Sequence, residues 1–562
     1  MSEKIKVFAL AGLDEDGRDC YIVEINDDLF VIDAGTSLPD KTIPGVDYLL
    51  PNFDYLFRNK DRIRAYIMTH GHDESMGALR YFYKYAPAPV YCSKSTMVIM
   101  EGQLAINEQT KLHYDFHIVN PSDDVMIYNH RVRFFQTCHN APNSSGIAIS
   151  TNLGNIIFTS DFIINFATED KNYQFDLAMT SELAKEKTLL LMAESKAANK
   201  KGYCSPRHRI NDLVEKYFKL DRRIFVSCYW QNMYRLREVI RLARKYSKKL
   251  YCYDDYTRTI LSQIVAATGT ASIIQDDFVS REDLLRVKKE NLVILIVGQN
   301  DDLLKEIYAL STGSNADKRI KVDKDDIFMN VAVPRPSFET LTTRAMDSMY
   351  RTGCEVVWLK NKEVSAMHAR EDDLRFVLNL FKPQYYFPVR GHYTHIMDNA
   401  RIAVSLGIGL NHLNVFVLDN GMQIIFEENR RPVLLPNEVT GIDVSPILVD
   451  GKGVTKISNE LIETRQQMGV DGAVVIASTV SLSEKRIIAG PDCQMRGFVF
   501  VKEAEPLLKS ITQIYVEEVN AALKKGIDME MAKNTIKERI RWFIRRENGR
   551  EPLVEPIILI EK

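Results

Sequence analysis

The chain has 562 residues, more than one hydrophobic core organises, and this length suggests three or four domains of about 100–200 residues each. Apolar residues make up 45% and charged residues 26%, and the formal net charge of -2 excludes a global basic field, so any nucleic acid has to be met in a local groove. No apolar run approaches the roughly 20 residues of a membrane helix, the start at Met1-Ser2-Glu3-Lys4 leads into a strand rather than a signal peptide, and the 8 cysteines lack the spacing of a disulfide framework or zinc knuckle, which points to a reducing, cytoplasmic setting.

In chain order, runs at 6–10, 20–25, 29–34, 65–68, 90–92, 133–137, 146–150 and 156–159 read as strands bounded by Gly, Asp, Asn or Pro. They suit sheets packed face to face, with helices such as 74–85 laid over them. From about Ser205 the style changes. Strand-like runs at 223–228, 250–253, 291–297 and 327–333 alternate with helical spacing at 232–246 and 257–268, the pattern of a parallel α/β domain. After a strand at 356–359 the earlier style resumes with a helix at 374–381 and a strand at 384–390, so 205–364 reads as an insertion that splits the first domain. The polar, proline-containing stretch 427–435 reads as a linker. Beyond it, strands are expected at 472–479, 497–501 and 556–560, with helices at 506–524 and 529–547. Arg539, Arg541, Arg545 and Arg546 crowd the end of the last helix. They are either a solvated face that suits a helix C-terminus or a contact for RNA phosphate or an acidic partner.

Metal chemistry is carried by four strand ends. His70 and His72, in Met68-Thr69-His70-Gly71-His72-Asp73-Glu74-Ser75, lie on an extended turn after a strand and both reach one ion. His139 follows the strand at 133–137 and Asp161 the strand at 156–159; with the two histidines they make one four-ligand site. Asp33, at the end of another apolar strand, is placed to orient the histidines from behind. Ser75 is a poor ligand beside imidazole. In the inserted domain, Tyr229-Trp230-Gln231-Asn232-Met233-Tyr234-Arg235 offers aromatic and arginine groups for stacking and phosphate, or simply caps a helix.

These motifs, with Thr159-Ser160-Asp161-Phe162, Val333-Pro334-Arg335-Pro336, 382–389, Ala489-Gly490-Pro491 and 496–499, resemble the ribonuclease J family of the metallo-β-lactamase, β-CASP superfamily. The departures resemble the degenerate second paralogue that accompanies an active one in many Gram-positive bacteria. The implied fold class is α/β. A metallo-β-lactamase αββα sandwich (1–204 and 365–430) is split by a β-CASP parallel α/β domain (205–364). A linker (431–450) and a small α+β C-terminal domain for oligomerisation (451–562) follow.

The resemblance also shows what is missing. Ser75 stands where the second metal's histidine is usual, and Glu74 where an aspartate is usual. Asn143 replaces an acid, Glu194-Ser195-Lys196 replaces Asp-Ser-Thr, and Arg390 stands at a ligand histidine. The phosphate-cradling loop reads Val364-Ser365-Ala366-Met367-His368, with only His368 kept. Arg390 is therefore expected near the vacated site, paired with Glu74 or Asp161, or turned to solvent. The metal residues implied are His70, His72, Glu74, His139 and Asp161. Glu74 would position water and His368 assist the leaving group. Asn232, Arg235 and 364–368 would meet substrate. The resemblance implies at most one zinc or manganese ion per chain, and leaves open a chain with none. It implies weak or absent 5′-to-3′ exonuclease and endonuclease activity in mRNA turnover and rRNA maturation, beside an active ribonuclease J as hetero-oligomer, with a homodimer when alone and no DNA as substrate. Two alternatives stay open: a competent metallohydrolase that recruits His392 or His395, and a non-catalytic scaffold.

Overall fold

The structure is a computed structural model and describes residues 3–39, 44–106, 112–166, 170–268, 277–333, 338–450, 453–454, 459–497 and 504–561. Pro334–Pro336, Phe498, Val499 and most of the expected strand 497–501 lie outside the described residues. The chain divides into two compact units: Met1–Ser37 with Leu50–Pro446, and Leu38–Leu49 with Ile447–Lys562.

The first unit contains two facing sheets. One runs in the order Val433–Leu435, Gln423–Glu427, Lys4–Ala11, Cys20–Ile25, Asp28–Ile32, Ile63–Ile67, Val90–Cys92 and Phe116–Ile118. The other runs Tyr385–Val389, Thr188–Glu194, Asn155–Phe158, Ser145–Ile149, His130–Gln136 and Asp124–Ile127. Strand alternation sends Val7, Val23, Phe30 and Ile67 from the first sheet against Phe134, Ile147, Ile156, Met192 and Phe387 from the second, all buried in one core. The opposite faces are apolar too. Phe135, Ala148, Ile157 and Leu191 pack with Leu374, Val377 and Ala403 from the helices Glu371–Phe381 and Tyr393–Ser405. On the far side of the first sheet Tyr66 meets Phe82 edge-on. This is the αββα sandwich expected.

The insertion carries its own sheet, entirely parallel, in the order Lys249–Cys252, Leu292–Gly298, Ile224–Tyr229, Ile327–Asn330 and Glu355–Trp358. In the second unit, Arg486–Arg496, Ala473–Ser481 and Leu553–Ile560 form a three-stranded sheet. One face packs Val474, Ile476 and Val554 on Ile511, Tyr515, Ile536 and Ile540 of the helices Ala504–Lys525 and Met529–Asn548.

Three expectations change. The helix read at 74–85 is two short turns, Asp73–Met76 and Leu79–Phe82, because the Ala78 N–H leaves the helical ladder to donate to Ala34 O at 2.8 Å. The linker at 427–435 is a hairpin, with Val433–Leu435 paired antiparallel to Gln423–Glu427 as the sheet's edge. The strand Arg486–Arg496 was hidden by its own Gly490-Pro491, which sits where the pairing register shifts between Ala477 and Thr479.

Candidate metal centre

The site forms where strands of both sheets end. Asp33, Ser160 and Arg390 each leave a strand with a left-handed φ of 60°, 58° and 60°. Three non-glycine residues in that region at one place mark a locally over-determined turn, as functional sites often hold. The segment 33–36 lies so close to the turn at Asp73–Met76 that a Cβ on Gly35 would sit 1.5 Å from Glu74 O. Ala34 N–H donates to Ser75 O at 2.6 Å and Asp19 N–H to Glu74 O at 3.0 Å, so Asp19, Asp33 and Ser75 are drawn around one point.

The three histidines face each other. His70 Nε2 lies 3.1 Å from His72 Nδ1, and His139 Nε2 lies 3.4 Å from the same atom. Asp161 Oδ2 lies 3.7 Å from both His70 Nε2 and His139 Nε2. A zinc ion about 2.1 Å from each of four tetrahedral donors would set them roughly 3.4 Å apart. His70, His72 and His139 therefore fit one ion with Asp161 at its side, and His139, Asp161 and His368 form a second, overlapping metal-competent group among the described residues. Asp161 is fully buried, and its Oδ2, the atom that faces the histidines, has no hydrogen-bond partner among the described residues.

The outward nitrogens are held as a metal site requires. His72 Nε2–H donates to Gln231 O at 2.9 Å and His139 Nδ1–H to Met367 O at 2.8 Å. His70 Nδ1 meets Thr69 Oγ1 at 2.9 Å, and that hydroxyl donates to Asp33 Oδ2 at 2.9 Å. Asp33 thus orients a histidine, through threonine. Burial, with the neighbouring imidazoles, holds His70 and His139 well below the ordinary histidine range, so their inward nitrogens stay unprotonated. Gln231 and the Met367 carbonyl escaped the sequence reading; a backbone carbonyl has no residue-type signature. Thr69, beside His70, stood in the motif without an assigned role.

Arg390 is fully buried beside this cage. Nη2 bonds Asp33 Oδ2 at 2.9 Å and Ser75 Oγ at 2.7 Å and pairs with Asp19 Oδ2 at 2.8 Å; Nη1 pairs with Asp161 Oδ1 at 2.7 Å. The expected partner Asp161 is present. Glu74 instead brings Oε1 to 3.5 Å from His72 Nδ1, the nitrogen that faces the cage, and to 3.9 Å from Lys196 Nζ. Solvent exposure of Arg390 is ruled out. Burial pushes Asp33 up to about 7 and Asp19 up to about 8 with Arg390 opposing, whereas Arg390 and Lys196 outweigh burial at Asp161 and hold it well below the carboxylate range. One guanidinium keeps one of its three carboxylates firmly ionised.

His368 Nδ1 lies 2.8 Å from Glu194 Oε2, while Glu194 Oε1 accepts from Phe162 N–H and Ala369 N–H. Burial works against charge on His368, but Glu194 raises it above the ordinary range. The loop 364–368 turns carbonyls inward: Met367 O to His139, Ser365 O to Arg235, and Ala366 O to Cys204 Sγ. Val364 and Met367 are buried. Asn232 caps the helix Met233–Lys245 by accepting from Arg235 N–H, and the Arg235 guanidinium donates to Val331 O at 2.9 Å and Ser365 O at 3.2 Å. Arg235 therefore ties the insertion to the 364–368 loop, and Asn232 fixes the start of the helix that carries it. His392 is exposed and His395 part-buried, and neither belongs to the metal-competent groups found among the described residues.

An αββα sandwich with three histidines and an aspartate between its strand ends, carrying a parallel α/β insertion, is the architecture of the metallo-β-lactamase superfamily, a fold that implies a metal cofactor. Residues 13–199 match the family described as the metallo-beta-lactamase superfamily, 221–349 the ribonuclease J beta-CASP domain, and 460–560 the ribonuclease J C-terminal domain. The chain belongs to the ribonuclease J family of RNA-processing nucleases. It is 28% identical to ribonuclease J 2 of Streptococcus pyogenes serotype M3 over 558 residues, covering 99% of both chains. It is 26% identical to ribonuclease J2 of Bacillus subtilis strain 168, again covering 99% of both. A solved protein of unknown function from Enterococcus faecalis V583 shares the fold, with TM-score 0.51, 16% identity, and coverage of 75% of this chain and 100% of that one.

Proposed function

We propose that the chain is a one-ion ribonuclease J whose second metal position is filled by the Arg390 guanidinium. In this reading it has weak or absent intrinsic activity and works in RNA turnover and maturation beside an active ribonuclease J. The observation that carries this is the pairing of Arg390 with Asp19, Asp33, Asp161 and Ser75, beside a His70, His72 and His139 group that Asp161 flanks at 3.7 Å. The family's two-ion chemistry orients the attacking water and neutralises charge developing on the phosphate. Arg390 supplies charge from a fixed, desolvated position, but a guanidinium neither lowers the pKa of water as an ion does nor opens a coordination position. Glu74, 20% exposed beside His72, is placed to hold water, and His368, oriented by Glu194, to donate a proton to the leaving oxygen.

The proposed domain division is 1–204 and 365–430 for the sandwich, 205–364 for the insertion, 431–450 for the linker apart from the edge strand Val433–Leu435, and 451–562 for the C-terminal domain. The outer face of the C-terminal sheet exposes Val475, Ile557 and Leu559, which suits a homodimer or hetero-oligomer contact. Zinc or manganese suits the cage. Among the described residues, no helix is long and apolar enough to cross a membrane; a cytoplasmic location belongs to the same proposal.

The test is metal content and decay of a 5′-monophosphorylated RNA, measured on wild type, Asp161→Ala and the triple variant E74D/S75H/R390H. One ion per wild-type chain, loss of activity in Asp161→Ala, and a second ion with a rate gain of at least tenfold in the triple variant are expected. Two ions in the wild type would overturn the one-ion reading. Coincident decay curves for wild type and Asp161→Ala would leave only a non-catalytic role.

A further inference from the structure

A second cation of the site, the part-buried Lys196, is not used above. Its ammonium lies 3.0 Å from Asp16 Oδ1 and 3.9 Å from Glu74 Oε1. Only the first is within hydrogen-bond distance, so an ammonium with three donors has one close acceptor among the described residues. The Lys196 side chain is 10% exposed, whereas Asp16 is 67% exposed. Lys196 is therefore held at the rim, and its partner can swing into water. Glu74 Oε1 stands between Lys196 and the cage, 3.5 Å from His72 Nδ1 on the other side. Arg390 offers nothing comparable: it is fully buried and already paired with three carboxylates.

A phosphodiester approaching this centre meets the exposed Asp16 and the part-buried Glu74, with the buried Asp161 behind them. Repulsion between an RNA phosphate and those carboxylates has to be offset by a cation that is both charged and reachable. Burial works to lower the Lys196 pKa, but Asp16, Asp161 and Glu74 raise it further, so the ammonium is charged at any physiological pH.

We infer that Lys196 is a phosphate-binding residue, which exchanges Asp16 for a non-bridging oxygen of the RNA phosphate lodged at the cage. The inference rests on the reading of the centre as a one-ion RNA site and adds to it a specific ligand for the substrate. Lys196 would do at the rim what the backbone of a glycine-rich loop does elsewhere, and what the inward carbonyls of 364–368 do not do here.

The experiment is binding of a short 5′-monophosphorylated single-stranded RNA to the full, metal-loaded chain, by fluorescence anisotropy over a range of salt. Wild type, Lys196→Gln, Lys196→Arg and Asp16→Asn are compared, with metal content and melting recorded on the same samples. Lys196→Gln is expected to weaken binding at least fivefold and to reduce the slope of log affinity against log salt by about 0.7, the effect of one neutralised phosphate on a single strand. Lys196→Arg is expected to restore the slope, and Asp16→Asn to tighten binding, since it removes the competing acceptor. A lysine that merely braces the Asp16 loop predicts weaker binding in both Lys196→Gln and Asp16→Asn and no change in slope. That result, with one ion and RNA still bound, overturns this inference alone. A wild type that binds neither ion nor RNA overturns the functional reading and this inference together.

Discussion

At the scale of single residues, Arg390 decides what the site is. Its position was legible in the sequence because an arginine stood where a ligand histidine is usual, but its partners were not. Asp19 lies 371 positions upstream, at the end of the acidic loop Asp14-Glu15-Asp16-Gly17-Arg18-Asp19, and its backbone bonds to Glu74 O and from Gly35 N–H draw it in. Glu74 looked the better partner on charge and chain proximity, yet the turn that begins at Asp73 points it toward His72 and Lys196. The Arg390 ion pairs are completely buried, so removing the cation strands carboxylates away from water. Arg390→Met is expected to lower unfolding free energy by about 3–5 kcal/mol, the usual consequence of breaking a buried pair from one side. Urea denaturation of the two proteins at neutral pH measures this; a decrease under about 1 kcal/mol would mean the carboxylates find water or protons without cost.

At the scale of elements, the strands and helices that follow one hydrophobic period were readable, whereas those whose role is set by distant partners were not. The helix Met233–Lys245 shows both sides. Its apolar stripe of Leu236, Val239, Ile240 and Ala243 marks it in the sequence. Its polar residues Arg235 and Glu238, which by type belong on a surface, are buried because they tie backbone groups: Glu238 accepts from Ile210 N–H at 3.2 Å. Burial pushes the Glu238 carboxyl up to about 7, against the pull of Ile210 N–H and Arg235. The folded chain therefore keeps a proton between about pH 4.5 and 7 that the unfolded chain releases, and stability falls as pH rises through that window. The whole contribution is on the order of 3 kcal/mol. Glu238→Gln removes the titration. It is expected to flatten the stability profile from about pH 5 to 7 and to leave the variant the more stable at about pH 8. Melting temperatures across that range check it; parallel profiles would show that Glu238 ionises normally in the fold.

At the scale of the whole molecule, the split sandwich and parallel insertion followed from the switch of strand style near Ser205 and its return near Val356. The insertion's reach into the metal centre, through Gln231 O and the loop that Arg235 holds, did not follow, because backbone contacts across hundreds of residues leave no periodic trace. The same scale decides how a chain of net charge -2 meets RNA. The most visible basic run, at the end of Met529–Asn548, is already matched. Arg539 pairs with Glu517 at 3.4 Å, Arg541 with Glu538 at 3.2 Å, Arg545 with Glu551 at 2.7 Å and Arg546 with Glu547 at 2.9 Å. These exposed pairs contribute little to stability, but they cancel the field that would draw a phosphate chain. RNA affinity should then depend on the metal centre and not on this helix. Changing all four arginines to glutamine is expected to leave the salt dependence of RNA binding within about 0.3 of the wild-type slope, whereas every phosphate that these arginines neutralise would account for about 0.7 of it. A fall in slope equivalent to two or more phosphates would mean that the arginines exchange their glutamates for RNA, and that the C-terminal unit carries part of the substrate.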